Sequence, residues 1–249
     1  MIPKVIHYCW FGRGKMPDLA IKCVESWKKF FPDYELKLWN EDNFNIDISP
    51  FVRQAYDARK YAFVSDYARL WIIYNYGGLY FDTDVEVVAS MENILATPFM
   101  GVETSASDAR GVCVNPGLGI AAEKGNIVYS DLLEIYDNLN FNKYIDNLNK
   151  ISVVAITTEY FNRHGLQQVD EIQQVRGITI YPKSYLCPID QNGHVLNLRP
   201  ETVSIHHYAA SWIDGTGKLK KLLRSVLGAS LTLWLIRLKR AIMGVKGNN

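Results

Sequence analysis

The chain has 249 residues, 48% of them apolar and 21% charged, which fits one globular unit with a sizeable core and excludes disorder for its bulk. Its net charge is +1, but the eight basic residues after Asp214 stand without any acid, leaving about −7 on the remainder. An acidic main body excludes a general nucleic-acid binder, which needs a broad basic footprint, and is compatible with a site that takes up a cation.

The first element is Lys4–Trp10, β-rich and stopped by Gly12 and Gly14, a strand feeding a loop. Leu19, Val24, Trp27 and Phe31 recur at helical spacing from Pro17 onward, and Pro32 closes that helix. Glu35–Trp39 alternates like a strand, so the opening is a β-α-β unit, which favours parallel pairing. A second helix starts near Ser49-Pro50, and a third covers roughly Tyr61–Tyr76 before Gly77-Gly78 cap it. Leu79–Val88 reads as one strand with carboxylates in its middle. Phe99–Glu103, Val112–Asn115, Gly177–Tyr181 and Thr202–Tyr208 are further strands, with helices near 126–140 and 153–164.

Cys9, Cys23, Cys113 and Cys187 are scattered without metal-type spacing, so neither a zinc cluster nor a disulfide framework is expected. No apolar leader follows Met1, and the chain is expected to face a reducing cytosol.

Chemistry concentrates at Asp82-Thr83-Asp84. In an extended segment residues i and i+2 share a face, about 7 Å apart, and two converged carboxylates suit a hard divalent ion such as Mg²⁺ or Mn²⁺ that keeps sites for phosphate oxygens. A three-residue motif is common by chance, but this one lies at the inner end of an apolar stretch, where unpaired carboxylates are costly. Asp66 and Arg69 fall at i and i+3 of the apolar third helix, on one face, where they are expected to clamp a sugar: Asp66 accepting from hydroxyls, Arg69 donating to a phosphate or sugar oxygen. His206-His207 offers one imidazole to a metal, since adjacent residues of a strand face opposite ways. Trp10 follows a strand and could stack a pyrimidine ring or simply belong to the core.

Four blocks in order carry a family likeness: Ile2–Gly12, Ala62–Leu70, Tyr76–Asp84 and His206–Trp212. With them the chain resembles glycosyltransferase family 32, the sugar-binding regions containing a DXD motif, and the related catalytic domains of large clostridial glucosylating toxins. The resemblance spans residues 2 to about 212, loosely over 104–200. It implies a GT-A fold, a Rossmann-like mixed α/β sheet flanked by helices, with a nucleotide-sugar donor, Mn²⁺ or Mg²⁺, and retention of anomeric configuration. By position, Asp66, Arg69, Asp82 and Asp84 resemble the catalytic set, and Asp82, Asp84 and His207 the metal ligands. The donor contacts resemble His7, Trp10, Asp66, Arg69, Asp82, Thr83, Asn115, Ser211 and Trp212. Trp10 would stack the base, and Ser211 and Trp212 would be lid residues on metal and phosphate.

The last segment places Leu219, Leu222, Leu223, Val226, Leu227, Leu231, Trp234, Leu238 and Ile242 at helical spacing beside Lys220, Lys221, Arg224, Lys239 and Arg240. Such a basic amphipathic helix, too short in apolar length to span a bilayer, suits an anionic membrane surface or packing on protein. The expected organisation is one catalytic domain, 1–215, and a helical tail, 216–249. The expected activity is transfer of a hexose or N-acetylhexosamine, UDP-sugar favoured, to a lipid-linked oligosaccharide in cell-surface polysaccharide synthesis, at the inner face of the membrane. The alternatives are a toxin-like protein glycosyltransferase or a non-catalytic nucleotide-sugar-binding module.

Overall fold

The computed structural model describes residues 1–188 and 198–209. Ser211, Trp212 and the 216–249 tail lie outside the described residues. No helix among the described residues is long and apolar enough to cross a membrane.

The chain opens with β1 (Val5–Cys9), α1 (Asp18–Phe30) and β2 (Glu35–Trp39). Along α1, Ala20, Cys23 and Trp27 are buried, the three-and-four spacing of a single face. Asp18 in its first turn and Lys28 and Lys29 in its last oppose the helix dipole favourably. β1 and β2 pair in parallel from Val5–Glu35 to Cys9–Trp39, as a β-α-β unit requires. Ser49 Oγ accepts from Val52 N–H at 3.3 Å and starts α2 (Pro50–Asp57), with Pro50 at the position that needs no donor. α3 (Tyr61–Tyr76) ends at Gly77-Gly78, both at positive φ, where an added Cβ would meet Lys124 N and Val5.

The expected Leu79–Val88 strand is two strands. β3 (Gly78–Tyr80) is parallel to β1, whereas β4 (Val85–Val87) belongs to another sheet, and Asp82–Asp84 form the turn between them, closed by Val85 N–H donating to Asp82 O at 3.0 Å. Two half-buried carboxylates are thus carried by a turn instead of a ladder. Next come β5 (Phe99–Gly101), β6 (Ile120–Ala122), α4 (Ile127–Asp137) and α5 (Val153–Arg163). The remainder comprises β7 (Gln173–Val175), β8 (Ile178–Tyr181), α6 (Lys183–Leu186) and β9 (Ser204–His206). Of the Val112–Asn115 strand only a single bridge, Val102 to Val114, is present. The short elements β6, β7 and α6 had no periodic signal of their own.

The seven-stranded sheet runs β2-β1-β3-β6-β5-β8-β7 and is mixed: β6 is antiparallel to both β3 and β5. β4 and β9 form a separate antiparallel pair. Alternation along the strands feeds two cores. Tyr80 and Cys9 join the core under α2, α3, α4 and α5; Leu79, Phe81 and Ile6 join the one under α1, β4 and α6. All four cysteines are buried.

Candidate active site

The site lies beyond the carboxyl ends of β1 and β3, where parallel pairing gives way to antiparallel, the position at which open α/β sheets leave a crevice. α3 delivers Asp66 and Arg69, both buried, and the turn after β3 delivers Asp82 and Asp84. Arg69 Nη2 lies 3.1 Å from Asp66 Oδ1 and 2.9 Å from Asp82 Oδ1. Tyr80 donates its hydroxyl to the same Asp82 oxygen at 3.0 Å, and its ring lies under the Arg69 guanidinium. Asp66 Oδ2 accepts from Val153 N–H at 3.3 Å, the first residue of α5, whose amino end favours negative charge.

Asp84 is held from the other side. Its Oδ1 is 3.2 Å from His206 Nε2, and its Oδ2 accepts from Ala209 N–H at 2.8 Å. Burial opposes its charge, but the imidazole and that N–H prevail and hold the carboxyl down at about 2. Burial likewise disfavours a charged His206, yet the neighbouring Asp84, Asp82 and Glu103 raise its pKa above the usual value. Asp82 is lifted above the ordinary carboxylate range by burial, against Arg69, and Asp66 is pushed up to about 6 for the same reason.

Asp82, Asp84 and His206 each offer a ligand atom, all within 4.8 Å of one another. The surroundings fit a cation. A Cβ on Gly117 would collide with Asp82 Oδ2, so only glycine leaves that oxygen its place, and His206 Nδ1 is buried without a hydrogen-bond partner. Two oxygens and one nitrogen are a donor set for a hard or borderline divalent ion.

Residues 17–100 match the family model described as a glycosyltransferase sugar-binding region containing a DXD motif. The chain carries that DXD region. Inositol phosphoceramide mannosyltransferase 3 of Schizosaccharomyces pombe is 32% identical over 110 residues, 43% of this chain and 31% of the relative. The chain thus spans about a third of that relative's length. An uncharacterized glycosyltransferase of Acanthamoeba polyphaga mimivirus is 24% identical over 76% of this chain and 74% of its own. Among solved structures, the PaToxG glycosyltransferase superposes with a TM-score of 0.51 at 20% identity, over 65% of this chain and 69% of that one. The fold is of the GT-A glycosyltransferase type.

The structure brings Asp66, Arg69, Asp82 and Asp84 together and corrects two expectations. His206, not His207, faces the carboxylates: His207 turns to the opposite side, with Nε2 2.8 Å from Glu86 Oε2, and Glu86 in turn pairs with Lys22. His7 is not available to a donor. Trp39 Nε1–H donates to its Nδ1 at 3.0 Å, Nε2 lies 3.0 Å from Gly77 O, and the ring is 1% exposed. Arg69 is buried, with Nη2 between two carboxylates and Nε without a hydrogen-bond partner. Thr83 lies half-buried in the DXD turn. Trp10 is half-buried after β1, its indole N–H donating to Gly14 O at 2.6 Å, which closes the loop there.

Asn115 is buried and also used by the protein. Its Oδ1 accepts from Gly117 N–H at 2.7 Å and its Nδ2 donates to Glu103 Oε2 at 2.9 Å. Reasoning from sequence missed Tyr80, Gly117 and the choice of His206. A tyrosine two residues before a carboxylate and a glycine after Asn115-Pro116 were visible signals, but neither states what it will touch.

Proposed function

We propose that the chain is a retaining, divalent-metal-dependent glycosyltransferase that moves a hexose or N-acetylhexosamine from a nucleotide-sugar, UDP-sugar favoured. The observation that carries this reading is the line Asp66–Arg69–Asp82 running into the Asp84–His206 pair, a charged array in which Asp66, Arg69 and His206 are buried and Asp82 and Asp84 half-buried. Asp82, Asp84 and His206 would hold Mn²⁺ or Mg²⁺, which when bound supplies positive charge against a departing diphosphate. Asp66, its Oδ2 turned to α5 and Oδ1 to Arg69, accepts hydroxyl hydrogens of the donor sugar. Arg69 keeps Asp66 and Asp82 charged and in place, so catalysis draws on preorganised charge. Trp10 at the end of β1 stacks the base. The acceptor hydroxyl enters on the face of the leaving phosphate, which takes its proton.

The mannosyl group named for the S. pombe relatives supports a hexose, and the lipid in their names supports a lipid-linked acceptor. We place that acceptor in cell-surface polysaccharide synthesis, with the 1–215 catalytic domain brought to the inner membrane face by the basic residues of 216–249.

The test is a screen of UDP- and GDP-sugars with Mn²⁺ present or chelated, for the wild type and Asp84→Ala. Metal-dependent turnover of one donor, lost in the variant, is expected. Binding of a donor without turnover in either condition overturns the reading in favour of a non-catalytic nucleotide-sugar-binding module.

A further inference from the structure

A buried carboxylate beside the site is left without a role by the proposed transfer. Glu103, just past β5, is 6% exposed. Its Oε2 accepts from Asn115 Nδ2 at 2.9 Å, and its Oε1 pairs with Arg110 Nη2 at 2.9 Å, reaching in from a half-exposed position on the loop 104–111. Backbone bonds hold the two segments in register: Glu103 N–H donates to Cys113 O, and Asn115 N–H to Gly101 O, both at 2.9 Å.

The contact continues toward the DXD turn. Asn115 Oδ1 takes Gly117 N–H at 2.7 Å and caps the turn Pro116–Leu118. Gly117 O takes Asp82 N–H at 3.3 Å, and the missing Cβ of Gly117 is what leaves Asp82 Oδ2 its place. With one end of its amide bonded to Gly117 and the other to Glu103, Asn115 cannot flip, and one Nδ2 hydrogen remains for a ligand. Glu103 is thus fixed at both oxygens, its charge met by Arg110 and its other oxygen turned to Asn115.

We propose that Glu103 is a positioning residue of the transfer site, acting through Asn115 and the Gly117 turn on Asp82. This rests on the glycosyltransferase reading above. Glu103 touches no reacting atom; it sets the orientation of an amide and the wall behind a cation-holding carboxylate.

The experiment measures donor turnover and Mn²⁺ affinity for the wild type, Glu103→Ala, Glu103→Gln, Asn115→Ala and the Glu103→Ala/Asn115→Ala double variant. Glu103→Ala is expected to lower kcat about 10- to 100-fold, with donor KM within about threefold, because positioning acts on the transition state more than on binding. Glu103→Gln keeps an acceptor for Asn115 and is expected to restore most of kcat. The double variant is expected to be no worse than the poorer single, as members of one unit are non-additive. Should Glu103→Ala not fold, Glu103→Asp, too short to reach Asn115, replaces it. Full kcat in the Ala or Asp variant, equal loss in Glu103→Gln, or additive losses overturn the proposal. A wild type that turns over no donor overturns the transferase reading itself, a result distinct from an active wild type indifferent to Glu103.

Discussion

Arg69 Nη2 donates to Asp82 Oδ1 at 2.9 Å while standing 3.1 Å from Asp66, so one guanidinium ties helix α3 to the DXD turn. Burial alone would favour the neutral arginine, but Asp82, Tyr80 and Asp66 outweigh it and raise its pKa, so it stays charged. Arg69→Met leaves the buried Asp66 and the half-buried Asp82 without their cation, and a loss of about 3–5 kcal/mol is expected, read as a lower urea midpoint. Asp66→Asn in the same chain should recover part of it; a double variant as unstable as the sum of the singles would contradict the pairing.

His206 and His207 separate by their partners. His206→Ala is expected to weaken Mn²⁺ binding at least about tenfold, since the loss of even an outer-shell partner costs 10- to 100-fold. His207→Ala, which removes only a contact to Glu86, should leave the affinity within about threefold. Calorimetric titration of both variants decides it, and the reverse ranking would restore His207 as the ligand.

Gly117→Ala tests the wall behind the DXD turn. The new methyl meets Asp82 Oδ2, and overpacking at a buried site typically costs about 1–3 kcal/mol. Displacement of Asp82 should reduce Mn²⁺ affinity and turnover together, by about tenfold or more. Unchanged affinity with normal kinetics would show that the turn yields without moving Asp82.

The acid stability of the fold depends on His7. Burial lowers its pKa from 6.5 to about 4, and the Trp39 N–H already occupies Nδ1, so a second ring proton would meet a donor. Between those values the unfolded chain binds a proton that the folded chain does not, so stability falls as pH drops from about 6.5 to 4, by about 3 kcal/mol for this group. Asp66, raised to about 6, contributes an opposite slope over much of that range, so the His7 contribution is read from the difference in urea midpoint between wild type and His7→Gln, which should narrow as pH falls; a difference independent of pH would assign the acid sensitivity elsewhere.

Much of this protein is legible in local sequence. Helical spacing and the Ser49-Pro50 and Gly77-Gly78 boundaries mark α2 and α3 because capping and positive φ are properties of single residues. The three-residue offset alone puts Asp66 and Arg69 on one face, and the apolar flanks say that both are buried. The DXD motif announces itself by carboxylates where an apolar run should continue.

What the local pattern could not decide depends on partners distant in the chain. Whether Leu79–Val88 is one strand or two is set by β1 and β6 claiming Gly78–Tyr80 while β9 claims Val85–Val87, and the turn between them converges the carboxylates. His206 and His207 are chemically identical neighbours; the register that pairs Val85 with His206 selects which one faces Asp84, and a slip by one residue would exchange them. The Glu103–Asn115–Gly117–Asp82 connection likewise exists only because β5 and the segment after it lie side by side. Propensity and periodicity act over a few residues, whereas the orientation of a side chain in a site is decided by the strand paired against it.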